Sequence, residues 1–406
     1  MAKQKIDFMT GNEAVAYAVK LAKVQVVGAY PITPQSPVVE KLAEYFADGE
    51  IVGEYIEMDG EHSCFQAMTD ASAAGARVFS ATCGPGLAYA HEPLQMIHYY
   101  RLPVVIAVPN RSYISLFPDL TDTVCESTTG FIQLFCENPQ ELLDTTLQAY
   151  KVAEDHRVLL PAMIGYDGYV TSHTGHTIFL PDQEDVDAFL PPRVPYPGTV
   201  IDPTGEPSTP LFGFMRGDAH VVAMEQEQGM QNAKEVLKEA NEEYYKVFGR
   251  RYGNGLIERF MCDDVDAVIV THSSMTGTAR VAVSQLQGEG KRVGLVKLKA
   301  FRPFPAEDFQ ELAKEVKAIG VCERQETPGS NCGEMFKDLR NALYDMDDRP
   351  KIVNFIVGLA GADITMPQLR YCAEAALKVA ETGKLEKTIE WTPEFPIPAP
   401  ITAFQM

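Results

Sequence analysis

The chain of 406 residues is 46% hydrophobic and 22% charged, the composition of a globular protein of two or three domains. It contains 35 basic and 56 acidic residues, so its formal net charge is −21. Because so acidic a surface repels phosphate backbones, we expect no nucleic-acid partner. No run of eighteen apolar residues occurs, and the N-terminus lacks the apolar core of a signal peptide. We therefore also expect a cytoplasmic protein that does not enter a membrane.

The eight cysteines do not have the spacing of a metal or cluster site. They stand at positions 64, 83, 125, 136, 262, 322, 332 and 372, and no two form a C-x-x-C pair. In an intracellular protein such cysteines are expected to be buried thiols. We therefore predict that this chain holds no metal and no cluster of its own.

Residues 1–176 alternate between patterns of strands and helices. Short apolar runs predict strands, and segments with apolar residues on one side predict helices. The clearest helix start is Asn138, which is followed by Pro139 and by Glu141 at the third helical position. Pro93 lies inside another helical segment and is expected to kink or restart it. Repeated βα units predict a parallel sheet covered by helices on both faces.

Residues 177–260 differ from the segments on either side. Eight of the 27 prolines lie between positions 181 and 210, which predicts an extended crossing segment without regular elements. An amphipathic helix is expected next, because apolar residues recur on one stripe from Ala233 to Phe248. Gly249 is well placed to end this helix.

Residues 261–385 return to alternating strands and helices and predict a second doubly wound domain. Residues 386–406 contain four prolines and are expected to form an extended tail. The predicted fold class is therefore α/β, with two doubly wound domains joined by a proline-rich crossing segment.

Four loops of the first domain carry candidate ligand-binding residues, since ligands of open α/β sheets bind where strands lead into helices. Thr33 stands between Pro31 and Pro34 after an apolar strand, a pattern that is also typical of a rigid turn. Glu61 comes before a run of small residues. There it could point into a cleft or simply cap the helix.

The other two loops follow the next two apolar strands. Thr82-Cys83-Gly84-Pro85-Gly86 lets a ligand approach the backbone at a helix start, although Cys83 could equally be a buried thiol. Arg111 is the only basic residue in the stretch 110–131. Its guanidinium could bind a ligand carboxylate through two hydrogen bonds, or could pair with a nearby acid. The acids in question are Asp119, Asp122 and Glu126.

Taken in order, these segments resemble the α subunit of the 2-oxoacid:ferredoxin oxidoreductases, thiamine-diphosphate enzymes that include pyruvate and 2-oxoisovalerate oxidoreductases. The matching segments span nearly the whole chain and include GNEAVAYAVKLA, YPITPQSP, EMDGEHS, ASAAGARVFSAT, LPVVIAVPNR, ENPQELLDTTLQAYKVAED, VLLPAMIGYDGY, VGLVKLKAFRPFP and GLAGADIT. The resemblance implies a thiamine-diphosphate-binding domain of the pyrimidine type, followed by a domain similar to the C-terminal domain of transketolase.

The resemblance also implies roles for single residues. Glu61 falls on the family's cofactor glutamate, which bonds the pyrimidine ring, and the cofactor is expected beside Cys83 and Gly84. Thr33 and Arg111 fall on the family's contacts with the substrate carboxylate. The predicted catalytic residues are thus Glu61, Arg111 and Thr33, and Asn110 is a further predicted substrate contact.

By the same resemblance the chain works inside a complex. It lacks the GDG motif with a following Asn that binds diphosphate and Mg²⁺, in agreement with a β subunit that shares the thiamine diphosphate site. Mg²⁺ and [4Fe–4S] clusters are expected in β, γ and δ-type partner subunits, with ferredoxin or an NAD(P)-reducing subunit as electron acceptor. The reaction implied is oxidative decarboxylation of a 2-oxoacid, with coenzyme A as co-substrate, to acyl-CoA and CO₂.

The sequence differs from the pyruvate-type members of the family in motifs that bear on which substrate is bound. The family's DHSD motif reads Asp119-Leu120-Thr121-Asp122, and an arginine of its QRDTG motif is replaced by Ser127. A second substrate carboxylate would find no basic partner here, which argues against 2-oxoglutarate. We predict a bulky apolar substrate, with phenylglyoxylate as first candidate and pyruvate or a branched-chain oxoacid as alternatives. The apolar residues that could line its pocket are Tyr113, Phe117, Leu120 and Phe131.

Two other functions are compatible with such a fold. A transketolase-like transferase would need the missing diphosphate motif and would run no redox chemistry. A non-catalytic scaffold subunit would need none of Thr33, Glu61 and Arg111, so their joint presence argues against it.

Overall fold

The computed structural model describes residues 4–202 and 219–392, which form two α/β domains. Up to residue 202 the elements are β1 (Gln4–Met9), α1 (Gly11–Leu21), β2 (Val26–Ala29), α2 (Ser36–Ala47), β3 (Glu54–Glu57), α3 (Glu61–Ala73), β4 (Val78–Ala81), α4 (Pro85–Tyr89), α5 (His91–Tyr99), β5 (Val105–Asn110), α6 (Thr121–Cys125), β6 (Ile132–Phe135), α7 (Pro139–Ala153), β7 (Ala162–Asp167), β8 (His176–Pro181) and α8 (Gln183–Phe189). From residue 219 they are α9 (Ala219–Phe248), β9 (Ile257–Phe260), β10 (Ala267–Thr271), α10 (Met275–Gly288), β11 (Val293–Leu298), β12 (Ala300–Arg302), α11 (Ala306–Ala313), β13 (Ala318–Glu323), α12 (Glu334–Leu343), β14 (Lys351–Ile356), α13 (Met366–Thr382) and β15 (Ile389–Trp391).

The first domain is built on a seven-stranded sheet with the order β12-β6-β7-β5-β4-β2-β3. All neighbouring strands are parallel except β12, which runs antiparallel to β6. Strands β4, β5, β6 and β7 are buried along their whole length, because helices cover both faces. Helices α1, α2, α7 and α9 pack on one face, and α3 and α5 pack on the other. The predicted parallel sheet is confirmed.

The second domain has a six-stranded sheet with the order β15-β14-β13-β10-β11-β9, in which only β9 is antiparallel. Helices α10 and α13 cover one face, and α11 and α12 cover the other. The second doubly wound domain is confirmed. Its edge strands β9 and β15 lie just outside the predicted range 261–385, and β15 replaces part of the predicted extended tail. Residues 393–406 of that tail lie outside the described residues, and the domain boundaries stay a prediction.

The expectation that residues 177–210 lack regular elements is wrong for their first part. β8 pairs antiparallel with β1, and α8 follows it. Ile178 and Leu180 alternate into the core, which explains why this stretch forms a strand. The prolines do not interfere, because Pro181 ends the strand and the next ones follow α8. Residues 203–218, which include three of the eight prolines, lie outside the described residues.

The helix ends follow the chemistry of their unpaired backbone groups. Asn138 Oδ1 accepts the amide of Glu141 at 3.0 Å at the start of α7, as predicted. The helix around Pro93 restarts at His91 after the short α4, also as predicted. Gly249 follows the last residue of α9 with φ of 76°, the left-handed conformation expected for a residue that ends a helix.

The two domains are joined by a buried ion cluster as well as by β12. Lys297 Nζ lies 2.5 Å and Lys299 Nζ 2.9 Å from the carboxylate of Glu141, and all three side chains are buried. Lys297 also pairs with Glu137 at 3.1 Å. Burial acts to raise the pKa of Glu141, but the two lysines outweigh it and hold this pKa at about 2. The cluster fastens the start of α7 to the second domain.

Candidate functional site

Four loops meet at one edge of the first sheet. They follow β2, β3, β4 and β5, which are neighbours in the sheet, so their carboxyl ends lie side by side. These are the loops that carry Thr33, Glu61, Gly84 and Arg111. The tertiary structure therefore assembles the predicted loops into one place.

Glu61 is the first residue of α3 and is only 7% exposed. Among the residues described, no other residue forms a hydrogen bond or an ion pair with its carboxylate. Burial raises the pKa of this carboxyl, opposed only by a hydrogen bond to its own backbone. A helix cap would instead hold the amides of the next residues. A buried carboxyl with unused bonding capacity is typical of a group that meets a ligand.

The loop after β4 makes room for this carboxylate. A Cβ atom at Gly86 would overlap Glu61 Oε1 and stand 2.7 Å from Thr82 Oγ1. The hydroxyl of Thr82 is itself buried without a hydrogen-bond partner in the described structure. Two unsatisfied polar groups thus converge on the same glycine. The sequence does not identify Thr82 and Gly86 as neighbours of Glu61, because the contact between these loops exists only in the folded chain.

Arg111 follows the last residue of β5 and is 9% exposed. Its Nη1 donates to the carbonyl of Thr33 at 2.8 Å, and its buried Nε has no partner. No carboxylate lies within ion-pair distance of the guanidinium among the described residues, so the alternative of an internal ion pair is wrong. Gly84 has φ of 52°, and a Cβ there would lie 2.5 Å from Arg111 Nε. The side chain of Arg111 therefore packs directly against the loop, where its guanidinium could bind an anion.

The nearest acid, Asp122, holds backbone groups instead. Its Oδ2 accepts the amides of Gly84 at 2.8 Å and of Arg111 at 3.0 Å, and its Oδ1 accepts Asn110 Nδ2 at 2.8 Å. Burial raises the pKa of Asp122 to about 6. This carboxylate fixes the glycine loop against the end of β5. From the sequence, Asp122 is predicted only as an ion-pair alternative, since no local pattern reveals that two loops share one acceptor.

Thr33 uses its carbonyl for contacts within the chain. That oxygen accepts from Arg111 and, at 3.3 Å, from the thiol of Cys83. Thr33 is exposed, so its hydroxyl stays available to a ligand. Cys83 is fully buried, and burial raises the pKa of its thiol. The thiol of Cys83 therefore packs inside the loop, and its predicted place beside a cofactor stays a prediction.

The predicted apolar pocket is only partly assembled. Leu120 is buried in a core that belongs mainly to the second domain, whereas Phe131 is buried beneath α3 and α5. Leu120 is drawn there because its amide donates to the carbonyl of Arg324 at 3.0 Å. These two side chains therefore pack in different cores, and their predicted role in a substrate pocket stays a prediction. Tyr113, half-buried, and Phe117, 58% exposed, remain on the loop beside Arg111.

Asn110 is buried at the end of β5. Its amide nitrogen is occupied by Asp122, and its Oδ1 has no hydrogen-bond partner. The predicted role of Asn110 in substrate binding stays a prediction.

Metal-ligating clusters and long apolar helices are both missing from the part of the chain that the structure describes. Residues 4–202 and 219–392 contain no cluster of three potential metal ligands from His, Cys, Asp and Glu. None of the helices in these ranges is both long and apolar enough to cross a bilayer. All eight cysteines are free, and Cys125 is exposed, contrary to the expectation that all are buried.

Two family models match the chain. One, described as pyruvate flavodoxin/ferredoxin oxidoreductase, thiamine diP-bdg, matches residues 17–246. The other, pyruvate:ferredoxin oxidoreductase core domain II, matches residues 265–369.

Several curated proteins are similar over nearly their full length. Pyruvate synthase subunit PorA of Pyrococcus abyssi is 42% identical, over 94% of this chain and 96% of its own. Ketoisovalerate oxidoreductase subunit VorA of the same organism is 40% identical over the same shares. The α subunit of NADH-dependent phenylglyoxylate dehydrogenase of Aromatoleum evansii is 38% identical over 90% of each chain.

Solved structures show the same fold. The 2-oxoglutarate:ferredoxin oxidoreductase from Magnetococcus marinus superposes with a TM-score of 0.69 at 20% identity. The match covers 92% of this chain and 65% of that one, so the chain spans just under two thirds of its length. An inactive split-gene transketolase superposes with a TM-score of 0.56 at 13% identity, over 92% of this chain and 99% of that one. The predicted likeness to a transketolase fold is thus confirmed.

Proposed function

The chain belongs to the 2-oxoacid:ferredoxin oxidoreductases as an α-type subunit, and from this membership we propose what its sheet edge binds. Glu61 and the loop Thr82–Gly86 hold the pyrimidine end of thiamine diphosphate, and Arg111 holds the carboxylate of a 2-oxoacid beside it. The chain is one subunit of an enzyme that oxidises 2-oxoacids.

One observation carries the proposal. Among the described residues, Arg111 is a buried cation without a carboxylate partner and with an unsatisfied Nε. The side chain of Arg111 packs against Gly84. Two residues later in the same loop, Gly86 packs against the carboxylate of Glu61. Burying a charge without an opposite charge is unfavourable, so such a group is expected to meet an anion when the protein works.

The residues around Glu61 fit the proposed cofactor. Burial raises the pKa of Glu61, and its carboxyl, unpaired among the described residues, could form a hydrogen bond with a ring nitrogen. Thr82 adds an unsatisfied hydroxyl to the same spot. Thiamine diphosphate, when bound, supplies the electron sink for decarboxylation of the oxoacid.

The complex that we propose supplies what this chain lacks. The sequence of this chain has no motif that binds diphosphate and Mg²⁺, so a β subunit would complete that half of the site. The sequence has no C-x-x-C pair, and we place the [4Fe–4S] clusters that accept the electrons in partner subunits. Coenzyme A would take the acyl group, and ferredoxin or an NAD(P)-reducing subunit would take the electrons.

For the substrate we propose a 2-oxoacid with one carboxylate and an apolar side chain, phenylglyoxylate first. Arg111 is the only basic residue in the stretch 110–131, which leaves a second carboxylate without a partner. Tyr113 and Phe117 stand on the same loop and are the two apolar residues of the predicted pocket that remain available. Pyruvate and 2-oxoisovalerate are the alternatives.

The test is an assay of the purified complex with each of the three oxoacids, coenzyme A and a low-potential dye as electron acceptor. We expect dye reduction that depends on thiamine diphosphate and coenzyme A, with the highest kcat/KM for phenylglyoxylate. If pyruvate were the best substrate, the aromatic assignment would be wrong. A complex without iron and sulfide that transfers two-carbon units between sugars would overturn the reaction itself.

A further inference from the structure

The loop that follows Arg111 is fastened to the second domain at its far end. Asp119 Oδ2 accepts the amide of Ala360 at 3.2 Å, in the turn after β14. Phe117 packs directly on Gly361 of the same turn. The amide of Leu120 donates to the carbonyl of Arg324 at 3.0 Å. Three contacts thus attach residues 117–120 to a domain that carries none of the predicted site residues.

Arg324 is the centre of this attachment. Its Nε donates to the carbonyl of Gly358 at 2.9 Å and its Nη2 to that of Ala362 at 3.4 Å, so it braces both ends of the turn. Its Nη1 lies 3.4 Å from Asp167 Oδ1 of the first domain, and both side chains are almost fully buried. Asp167 stands directly opposite Asn110 where β7 pairs with β5.

These contacts reach Arg111 by two short routes. Residues 117–120 lead directly into Asp122, whose carboxylate holds the amides of Arg111 and Gly84. The second route runs from Arg324 through Asp167 to the strand end at Asn110, which precedes Arg111. Neither Arg324 nor the glycine turn is placed in contact with the proposed cofactor or substrate.

Asp119, Arg324 and the turn 358–361, on which Phe117 packs, together form what we call the latch. We infer that the latch is a positioning element for Arg111, through which the second domain sets the affinity of the site for the 2-oxoacid. This inference rests on the proposed function, because it assigns the latch a role in binding the oxoacid carboxylate. A displacement of a binding group by about 1 Å can cost roughly 100-fold in rate, so a small shift of the latch is enough to be measured.

Gly361 offers a way to open the latch without removing a buried charge. It has φ of 90°, and a Cβ there would overlap Phe117 Cβ. Gly329 is a matched control, because it has φ of 88° in the same domain and nothing within 4 Å of its would-be Cβ. Both substitutions place alanine at nearly the same positive φ, but only Gly361→Ala introduces a clash that pushes the loop and the turn apart.

The experiment measures steady-state kinetics of the whole complex that carries Gly361→Ala or Gly329→Ala. For Gly361→Ala we expect KM for the oxoacid to rise about tenfold or more, with KM for coenzyme A changed less than about twofold. Gly329→Ala is expected to stay within about twofold of wild type in both constants. An unchanged oxoacid KM in a folded Gly361→Ala complex, or an equal rise in both KM values, would overturn the inference.

A double-mutant cycle with Arg111→Lys separates positioning from general loosening. If the latch acts through Arg111, Gly361→Ala adds less than about twofold to the oxoacid KM in the Arg111→Lys background. If Gly361→Ala instead raised the oxoacid KM by the same factor in the Arg111→Lys background as in wild type, the inference would be overturned. Should Gly361→Ala fail to assemble, Arg324→Lys serves instead, since it keeps the charge beside Asp167 but loses the two-pronged brace. A wild-type complex that oxidises no 2-oxoacid would refute the proposed function, whereas active wild type with unaltered latch variants refutes only this inference.

Discussion

Two buried carboxylates of the first domain differ in what surrounds them. Glu141 lies at the start of α7 within 3 Å of two buried lysines, and its pKa is about 2. Glu61 lies at the start of α3, where no other residue in the described ranges pairs with its carboxylate, and burial raises its pKa. Both are glutamates in the first turn of a helix, so local sequence does not distinguish them.

We expect this difference to separate a charge that serves structure from charges that serve the proposed function. The cluster around Glu141 has its charges paired within the chain, which is typical of a group that fixes the relative position of two domains. The edge around Glu61 and Arg111 keeps unsatisfied polar atoms that the folded chain alone does not use. Substitutions in the ion cluster around Glu141 should therefore change the stability of the protein. Substitutions of Glu61 or Arg111 should instead change its activity.

The largest expected effect is on activity. Glu61→Gln keeps the size of the side chain but cannot hold or release the carboxyl proton, and we expect kcat to fall about 10²- to 10⁴-fold. The thermal unfolding temperature should stay the same or rise, because a buried carboxyl without a partner is removed. Glu54→Gln, at the exposed start of β3, is the control and should leave kcat unaltered. Glu61→Gln with near wild-type kcat would contradict the cofactor role.

The next effect is on stability. Glu141→Gln leaves Lys297 and Lys299 without their main partner, and removing one member of a buried ion cluster costs about 3–5 kcal/mol. Urea unfolding of the purified complex at pH 7 should show this loss. The control is Glu184→Gln, an exposed glutamate in the first turn of α8, which should change stability by less than about 0.5 kcal/mol. Equal midpoints for the two variants would show that the cluster contributes no stability.

Arg111→Lys should produce an intermediate effect confined to binding. It keeps the positive charge but loses the planar fork, so we expect the oxoacid KM to rise about 10- to 100-fold, the value of one charge-assisted hydrogen bond. Arg157→Lys, in an exposed ion pair, is the matched control and should alter no kinetic constant. A rise in KM for coenzyme A instead of the oxoacid would assign Arg111 to the other substrate.

The smallest expected effect is the pH dependence of the stability that Glu141 contributes, which further distinguishes this carboxylate from Glu61. Because the pKa of Glu141 is lowered from 4.5 to about 2 by folding, its stabilisation is complete above about pH 5 and is lost as the pH falls. The stability difference between wild type and Glu141→Gln should therefore fall from about 3 kcal/mol at pH 6 to about 1.5 kcal/mol at pH 3. Urea midpoints at the two pH values measure it. A difference that stays constant would mean that the carboxylate is not the titrating group.

Much of the fold is predictable because it depends on local patterns. The βα alternation, the start of α7 at Asn138 and the end of α9 at Gly249 follow from residues within a few positions of each other. The strand β8 escapes prediction because the density of prolines obscures the alternation of Ile178 and Leu180. β12 escapes prediction because its partner, β6, lies more than 150 residues away.

The composition argues against broad classes of function, and the motifs around Thr33, Glu61 and Arg111 already resemble those of the family to which the chain belongs. Short-range motifs carry such information because each loop's residue types are set by what it must bind. Which atoms remain unsatisfied is decided by the tertiary structure alone. Asp122 could have paired with Arg111 but accepts its amide, Leu120 packs in a core that belongs mainly to the second domain, and the carbonyl of Arg324 accepts the amide of Leu120 between the domains. These outcomes depend on distances between segments that are far apart in sequence, and only packing sets those distances.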